Sequence, residues 1–347
     1  MPSPSTEPLD QRGRPLASLR VSVTDRCNLR CWYCMPEESY RWLPRTALLS
    51  FEEIERIVRV FTTLGVRRVR LTGGEPLLRK DLPALVARLT QLAALEEVTL
   101  TTNAVHLARQ AEELFAAGLT RITVSLDSLR RERFRAMTQR DELERVFEGL
   151  AAARTAGFSG TKLNAVVMRG ENDDELGDLV AFGRDEGLEV RFIEYMDVAG
   201  ATRWTSSKVV PREEILARVS ERFGALEEIA TPDAAPARRF RLPDGTRFGV
   251  IASTTAPFCA SCDRARMTAD GTLFTCLYAT RGRDVRELLR SGIDDAALHA
   301  ALTGAWRERD DQGAVERAAE GPARQGDWVP REDLRERPQI EMHTKGG

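Results

Sequence analysis

Leu19-Arg20-Val21-Ser22-Val23-Thr24-Asp25-Arg26-Cys27-Asn28-Leu29-Arg30-Cys31-Trp32-Tyr33-Cys34 decides how this chain is read. Residues 19–24 are β-rich, and three thiols follow directly at C-x3-C-x2-C spacing. Three thiolates can hold three corners of a cubane iron–sulfur cluster. The fourth iron is then free to bind something else, whereas a closed structural zinc site needs four ligands. The stretch therefore reads as a strand that ends in a metal loop with an open coordination position.

The same rhythm continues outward. Further β-rich runs fall at 68–72, 97–102, 121–126, 161–167 and 189–195, with helical patterns between them. Ser50-Phe51-Glu52-Glu53 reads as a capping box, and Ile54, Ile57, Val58 and Phe61 follow at helical spacing. Strand–helix alternation argues for a parallel sheet. It allows either an open doubly wound sheet or a barrel, and six units fall short of the eight in a complete barrel, so the expectation is a partial (βα)6 TIM-like barrel. In either closure ligands belong at the carboxyl ends of the strands. Residues awkward for packing do fall there: Gly73-Gly74-Glu75-Pro76, Thr101-Thr102-Asn103, Ser125-Leu126-Asp127 and Glu194-Tyr195-Met196-Asp197.

After about residue 205 the pattern changes, with a helix expected over 212–222 and strands at 238–242, 247–252 and 272–276. The expected organisation is a disordered lead-in at 1–15, the partial barrel at 16–205, and a smaller C-terminal α+β region at 206–347 that covers the barrel mouth. Residues 283–336 read as surface helices and loops, and 342–347 as a small flexible tail.

Composition narrows the function. The 51 basic and 53 acidic residues leave a net charge of −2, which gives no support to whole-protein attraction to nucleic acid or membrane. The polar, Pro-rich start is not a signal peptide, and no run approaches a membrane span. A chain of this length is not a small secreted disulfide scaffold, so a reducing, cytoplasmic home is expected.

All six cysteines fall as three plus three. The second set is Cys259-Ala260-Ser261-Cys262 with Cys276 further on, again without a fourth partner nearby. Either set could instead be a zinc site borrowing a distant ligand, but the histidines His106, His299 and His343 lie far from both in sequence. Arg264 and Arg266 follow the CxxC directly, and Arg20, Arg70, Lys162 and Arg191 lie on or beside strands. Taken singly, such cations are usually solvated or salt-bridged. Several facing one cavity suit a polyanion such as a nucleoside triphosphate.

C-x3-C-x-aromatic-C in the first βα loop, with Thr72-Gly73-Gly74-Glu75-Pro76 after strand two, resembles the radical S-adenosylmethionine (SAM) superfamily. From Leu19 to Gly347 the chain resembles one family within it more closely, the GTP 3′,8-cyclases of molybdenum-cofactor biosynthesis (MoaA). The segments that carry this are DRCNLRCWYCMP, RLTGGEPLLRKDL, TTN, VSLDSL, KLNAVV, RFIEYMD, CASCDRARMTADGTLFTC and the terminal Gly-Gly. The resemblance implies a SAM-binding 4Fe-4S cluster on Cys27, Cys31 and Cys34, and SAM contacts from Tyr33, Gly74, Ser125 and Met196. It implies a second 4Fe-4S cluster on Cys259, Cys262 and Cys276. Arg20, Arg70, Thr101, Lys162, Arg264, Ala265 and Arg266 would bind GTP, with Arg191 in the same cavity. Gly346 and Gly347 would enter the active site, and Arg266 or the tail would serve the last proton transfer. The reaction implied is abstraction of the GTP ribose H3′ by a 5′-deoxyadenosyl radical, followed by C3′ attack on guanine C8. The product is 3′,8-cyclo-7,8-dihydro-GTP. An external electron donor, a MoaC-type enzyme that consumes the product and a homodimer are implied with it. The family reads T-T-N-G where this chain has Ala104, and a small backbone adjustment is expected there. Other readings are a peptide-modifying radical SAM enzyme with an auxiliary cluster and a zinc-binding interaction module.

Overall fold

The computed structural model describes residues 7–37, 39–198, 204–230, 234–319, 334 and 336–346. The first half alternates strand and helix: β1 (Ser18–Ser22), α1 (Phe51–Thr63), β2 (Arg68–Thr72), α2 (Leu82–Thr90), β3 (Glu97–Thr102), α3 (Ala111–Ala116), β4 (Arg121–Ser125), α4 (Arg131–Thr138), α5 (Leu143–Ala156), β5 (Lys162–Val167), α6 (Leu176–Glu186) and β6 (Glu189–Glu194). The remainder comprises α7 (Arg212–Phe223), β7 (Glu227–Ile229), β8 (Arg238–Arg241), β9 (Arg247–Ile251), β10 (Arg264–Met267), β11 (Thr272–Phe274), β12 (Arg283–Asp284), α8 (Val285–Arg290), α9 (Asp295–Arg307), α10 (Gly313–Ala319) and a last short helix, α11 (Met342–Lys345).

Strands β1 to β6 pair in parallel and in chain order, as the alternation predicts. The C-terminal region is not a separate layer. Its strands extend the same sheet at both edges, in the order β12-β11-β10-β1-β2-β3-β4-β5-β6-β9-β8-β7. Strand β10 lies parallel to β1, with Ser18 opposite Arg264, and β9 lies parallel to β6.

Strand periodicity explains how the sheet makes both a core and a site. Successive side chains point to opposite faces. Leu19 and Val21, Val69 and Leu71, Leu163 and Ala165, and Ala265 and Met267 join one large apolar cluster with the helices. The alternate residues Arg20, Arg70, Lys162, Asn164, Arg264 and Arg266 line an internal cavity. A single-residue register slip would bury the cations and drown the core.

Helix α1 shows how locally the sequence dictates its elements. The Ser50 hydroxyl accepts from Glu53 N, and the Glu53 carboxylate accepts from Ser50 N. Ile54, Ile57, Val58 and Phe61 are buried. Burial contributes about 1.5–3 kcal/mol per side chain and the cap about 1 kcal/mol. The cap therefore fixes where the helix starts, and packing decides that it forms.

A segment expected to be disordered and one expected to be flexible are both ordered over their described residues. Residues 7–15 of the lead-in pack on the C-terminal region, with Leu9 bridged to Pro15 and both Asp10 and Arg14 buried. The flexible tail is instead docked, with His343, Thr344 and Lys345 buried. Both segments are polar, so neither carries the apolar run that marks a buried element in sequence. Within 283–336, α9 carries a fully buried Trp306. No helix of the described residues is long and apolar enough to cross a membrane.

Candidate active site

One cavity of about 1120 Å³ is lined by all six cysteines. Tyr33, Gly74, Ser125, Met196, Arg20, Arg70, Thr101, Lys162, Arg191, Arg264 and Arg266 line it as well. Ala265 and Gly346 are not among its lining residues; for Ala265 the reason lies in its strand. Strand alternation turns its methyl into the apolar core, where it is 1% exposed, so only its backbone remains available. Gly347 lies outside the described residues.

The first cysteine loop is held by the turn after β2. Gly73 has φ +144°, and a β-carbon on it would lie 2.3 Å from Thr24 O. A β-carbon on Gly74 would lie 2.3 Å from Arg26 O. Both glycines are thus required by close approach to the cysteine loop's own backbone. Glu75 is buried and accepts from Leu77 N, Thr102 Oγ1 and Asn103 N. Burial, working against these bonds, pushes its carboxyl up to about 7. Burial likewise pushes Asp127 up to about 6, and Asp127 accepts from the Tyr33 hydroxyl at 2.5 Å. Burial and then Glu75 push the Cys27 thiol up to about 11; burial also raises Cys31 and Cys34, with Asp127 adding to both.

Cations surround the second loop. Burial tends to raise the Cys262 thiol, but Arg264 and Arg309 outweigh it and bring it down to about 7. Arg264 also donates to Cys262 Sγ at 3.8 Å. Arg70 donates to the hydroxyls of Thr101 and Thr123. Arg191 is paired to Glu189 at 2.8 Å. Burial, then Arg191 and Arg121, bring Lys162 down to about 7.

The docked tail closes this side. Arg20 donates to Gly346 O at 3.0 Å and Arg266 to the same oxygen at 2.7 Å. Lys345 Nζ donates to the carbonyls of Leu277 and Ala279, just past Cys276. Gly346 has no room for a side chain, since a β-carbon would lie 2.1 Å from Thr72 Cγ2.

The donor set fits iron–sulfur clusters. All six cysteines are free thiols. Each loop also has buried N–H donors without an acceptor among the described residues: Asn28 Nδ2 at the first, and Arg14 and Arg309 at the second. Cluster sulfurs are natural acceptors for such donors.

Sequence reasoning placed Asn103 at the ligand end of β3 but gave it no role; it donates to Asn28 Oδ1 and lies 3.9 Å from Cys27 Sγ. It also missed Arg14 and Arg309, which carry no signal in sequence and are unusually deeply buried for arginine.

Comparison with known proteins agrees with this geometry. Residues 21–183 match the radical SAM superfamily and residues 188–315 match the Molybdenum Cofactor Synthesis C family. GTP 3′,8-cyclase 1 of Mycobacterium tuberculosis is 50% identical, the match covering 100% of this chain and 97% of that one. The GTP 3′,8-cyclase of Acidothermus cellulolyticus is also 50% identical, over 88% of each chain. Among solved structures, Streptococcus suis SuiB bound to its precursor peptide SuiA superposes with a TM-score of 0.62 at 17% identity, covering 89% of this chain and 68% of that one. That likeness speaks to the fold alone. With the sheet, the two cysteine loops and this end-to-end similarity together, the chain belongs to the GTP 3′,8-cyclase family of the radical SAM superfamily.

Proposed function

We propose that this chain is a radical SAM GTP 3′,8-cyclase that performs the first step of molybdenum-cofactor biosynthesis. The observation that carries the reading is the convergence of both cysteine triads and the cationic strand residues on one cavity. Cys27, Cys31 and Cys34 would hold the SAM-binding 4Fe-4S cluster, and Cys259, Cys262 and Cys276 the second. When bound, the first cluster and SAM supply a 5′-deoxyadenosyl radical. Tyr33, Gly74, Ser125 and Met196 border the SAM end of the cavity. Arg20, Arg70, Thr101, Lys162, Arg264 and Arg266 bind GTP, the guanidiniums matching phosphate oxygens in pairs; Arg191 supports them from its pair with Glu189, and Ala265 contributes through backbone only. They hold ribose C3′ toward the SAM end and guanine C8 within reach of C3′, so binding energy is spent on orientation. Arg266 and the Gly-Gly tail exclude water, and Arg266 or the tail delivers the final proton. The product is 3′,8-cyclo-7,8-dihydro-GTP. An external reductant and a MoaC-type enzyme complete the sequence in the cytoplasm, and the enzyme acts as a homodimer, without nucleic acid or membrane.

The test is anaerobic incubation of the iron- and sulfide-reconstituted protein with SAM, dithionite and each of GTP, ATP and a precursor peptide. Formation of 5′-deoxyadenosine together with an isomer of GTP mass is expected with GTP only. Turnover of the peptide, or none of GTP, sinks the assignment.

A further inference from the structure

Residues 7–15 are part of the second cysteine loop's support. Asp10, Arg14 and Arg309 are buried together, with side chains 0%, 3% and 1% exposed. Arg14 Nε lies 2.6 Å from Asp10 Oδ2, and Arg309 Nη1 lies 3.1 Å from the same oxygen. Each guanidinium then reaches one cysteine of the CxxC. Arg14 Nη1 donates to Cys259 O at 2.9 Å, and Arg309 Nη1 donates to Cys262 O at 2.8 Å. One carboxylate therefore ties together the two cations that grip both ends of the loop.

The clamp is itself rigid. Asp10 Oδ1 accepts from Arg12 N and Arg14 N, and burial of the carboxyl is outweighed by these and the Arg14 bonds, which hold it below its ordinary range. Trp306 Nε1 donates to Arg14 O, and the Arg309 guanidinium stacks 4.5 Å over the Trp306 ring.

Charge and hydrogen bonding are both left unbalanced. Two guanidiniums share one buried carboxylate. The next acid, Asp311, stands 3.9 Å from Arg309 Nε and is 30% exposed. Arg14 Nη2 and Arg309 Nε are buried without an acceptor among the described residues. A surplus buried cation is costly unless a negative group completes it, and the adjacent negative groups are the loop's thiolates.

We propose that Asp10, Arg14 and Arg309 are positioning residues for the second cluster, holding the Cys259–Cys262 loop in its ligating shape and raising that cluster's reduction potential. The inference rests on the reading that the second triad binds a cluster. Potential follows net charge and hydrogen bonds to sulfur, and outer partners of metal ligands typically govern affinity by about 10- to 100-fold.

The experiment uses full-length protein, reconstituted anaerobically, as wild type, Arg309→Met, Arg309→Lys and Asp10→Asn. Readouts are redox titration followed by electron paramagnetic resonance and the rate at which a chelator strips iron; added SAM marks the first cluster's signal. Arg309→Met should lower the second cluster's potential and speed loss of its iron about tenfold or more. Asp10→Asn should speed iron loss while moving the potential the opposite way, because it removes negative charge. Arg309→Lys should keep the potential near wild type yet still lose iron faster, since an ammonium cannot reproduce the fork. The first cluster's response to SAM should be unchanged throughout. Potential shifts of the same sign in Arg309→Met and Asp10→Asn, or wild-type iron retention in both, overturn the proposal. If Cys31→Ala alone removes all the iron, the cluster reading itself fails, and with it the inference.

Discussion

The two cysteine loops carry the same number of thiols and face one cavity, yet buried acids line the first and guanidiniums the second. Carboxylates stand around the first: Asp127 beside Tyr33, and Glu75 beneath Cys27. Burial and these acids push its thiols up. Guanidiniums stand around the second, and they bring Cys262 down to about 7 in spite of burial. The triad spacing marks both loops as metal sites but does not assign their ligands. On the function proposed above, acids beside the first would suit the sulfonium and ammonium of SAM, and guanidiniums beside the second a triphosphate.

The sharpest way to break this contrast is to remove one thiol at a time. Cys31→Ala should abolish both 5′-deoxyadenosine formation and GTP conversion. Cys262→Ala should abolish GTP conversion while SAM still binds and is slowly cleaved. Chromatography of both products under one set of conditions decides it; equal loss of SAM cleavage in the two variants would show that the loops do not divide the work.

A smaller effect sharpens the cationic side of this contrast. In the free protein Lys162 loses its proton through about pH 7, from burial and then Arg191 and Arg121. It is charged below that pH and neutral above it, and a polyanion favours the charged form. GTP affinity should therefore fall as pH rises above 7, by up to about tenfold per unit, with proton uptake on binding. Calorimetry in buffers of different ionisation enthalpy reads both quantities, and Lys162→Met should bind more weakly and lose the slope. A wild-type affinity that is flat from pH 7 to 9 would remove Lys162 from the phosphate site.

The smallest test lies beside the first loop. Ala104 follows Asn103 and has φ +63°. Ala104 thus holds a left-handed conformation that glycine adopts more readily. That conformation costs an alanine about 1–2 kcal/mol, partly offset by the greater freedom glycine loses on folding. Ala104→Gly should stabilise the protein by about 1 kcal/mol or less, raising Tm slightly with no change in kcat.

How much of this was legible in sequence depended on how local the signal was. Strands β2 and β3 were read to the residue, because their β-branched alternation is self-contained and punctuated by turns. Strand β10 was missed as a strand. Arg264-Ala265-Arg266-Met267 is short and half charged, and it becomes a strand only because β1 offers an edge to pair with. The cluster cysteines and cavity cations were legible as residue types at telling spacings. Arg14, Arg309 and the docking of His343 and Lys345 were not, because each depends on partners tens to hundreds of residues away.

That β1 sits between β2 and β10 also bears on how the molecule is made. A ribosome releases Ser18 long before Arg264, its partner across the sheet. Throughout that interval the nascent barrel exposes an unpaired strand edge, a template for aggregation. Chains truncated before residue 264 should thus be insoluble rather than merely inactive, and loading of the first metal loop is best timed after synthesis has finished.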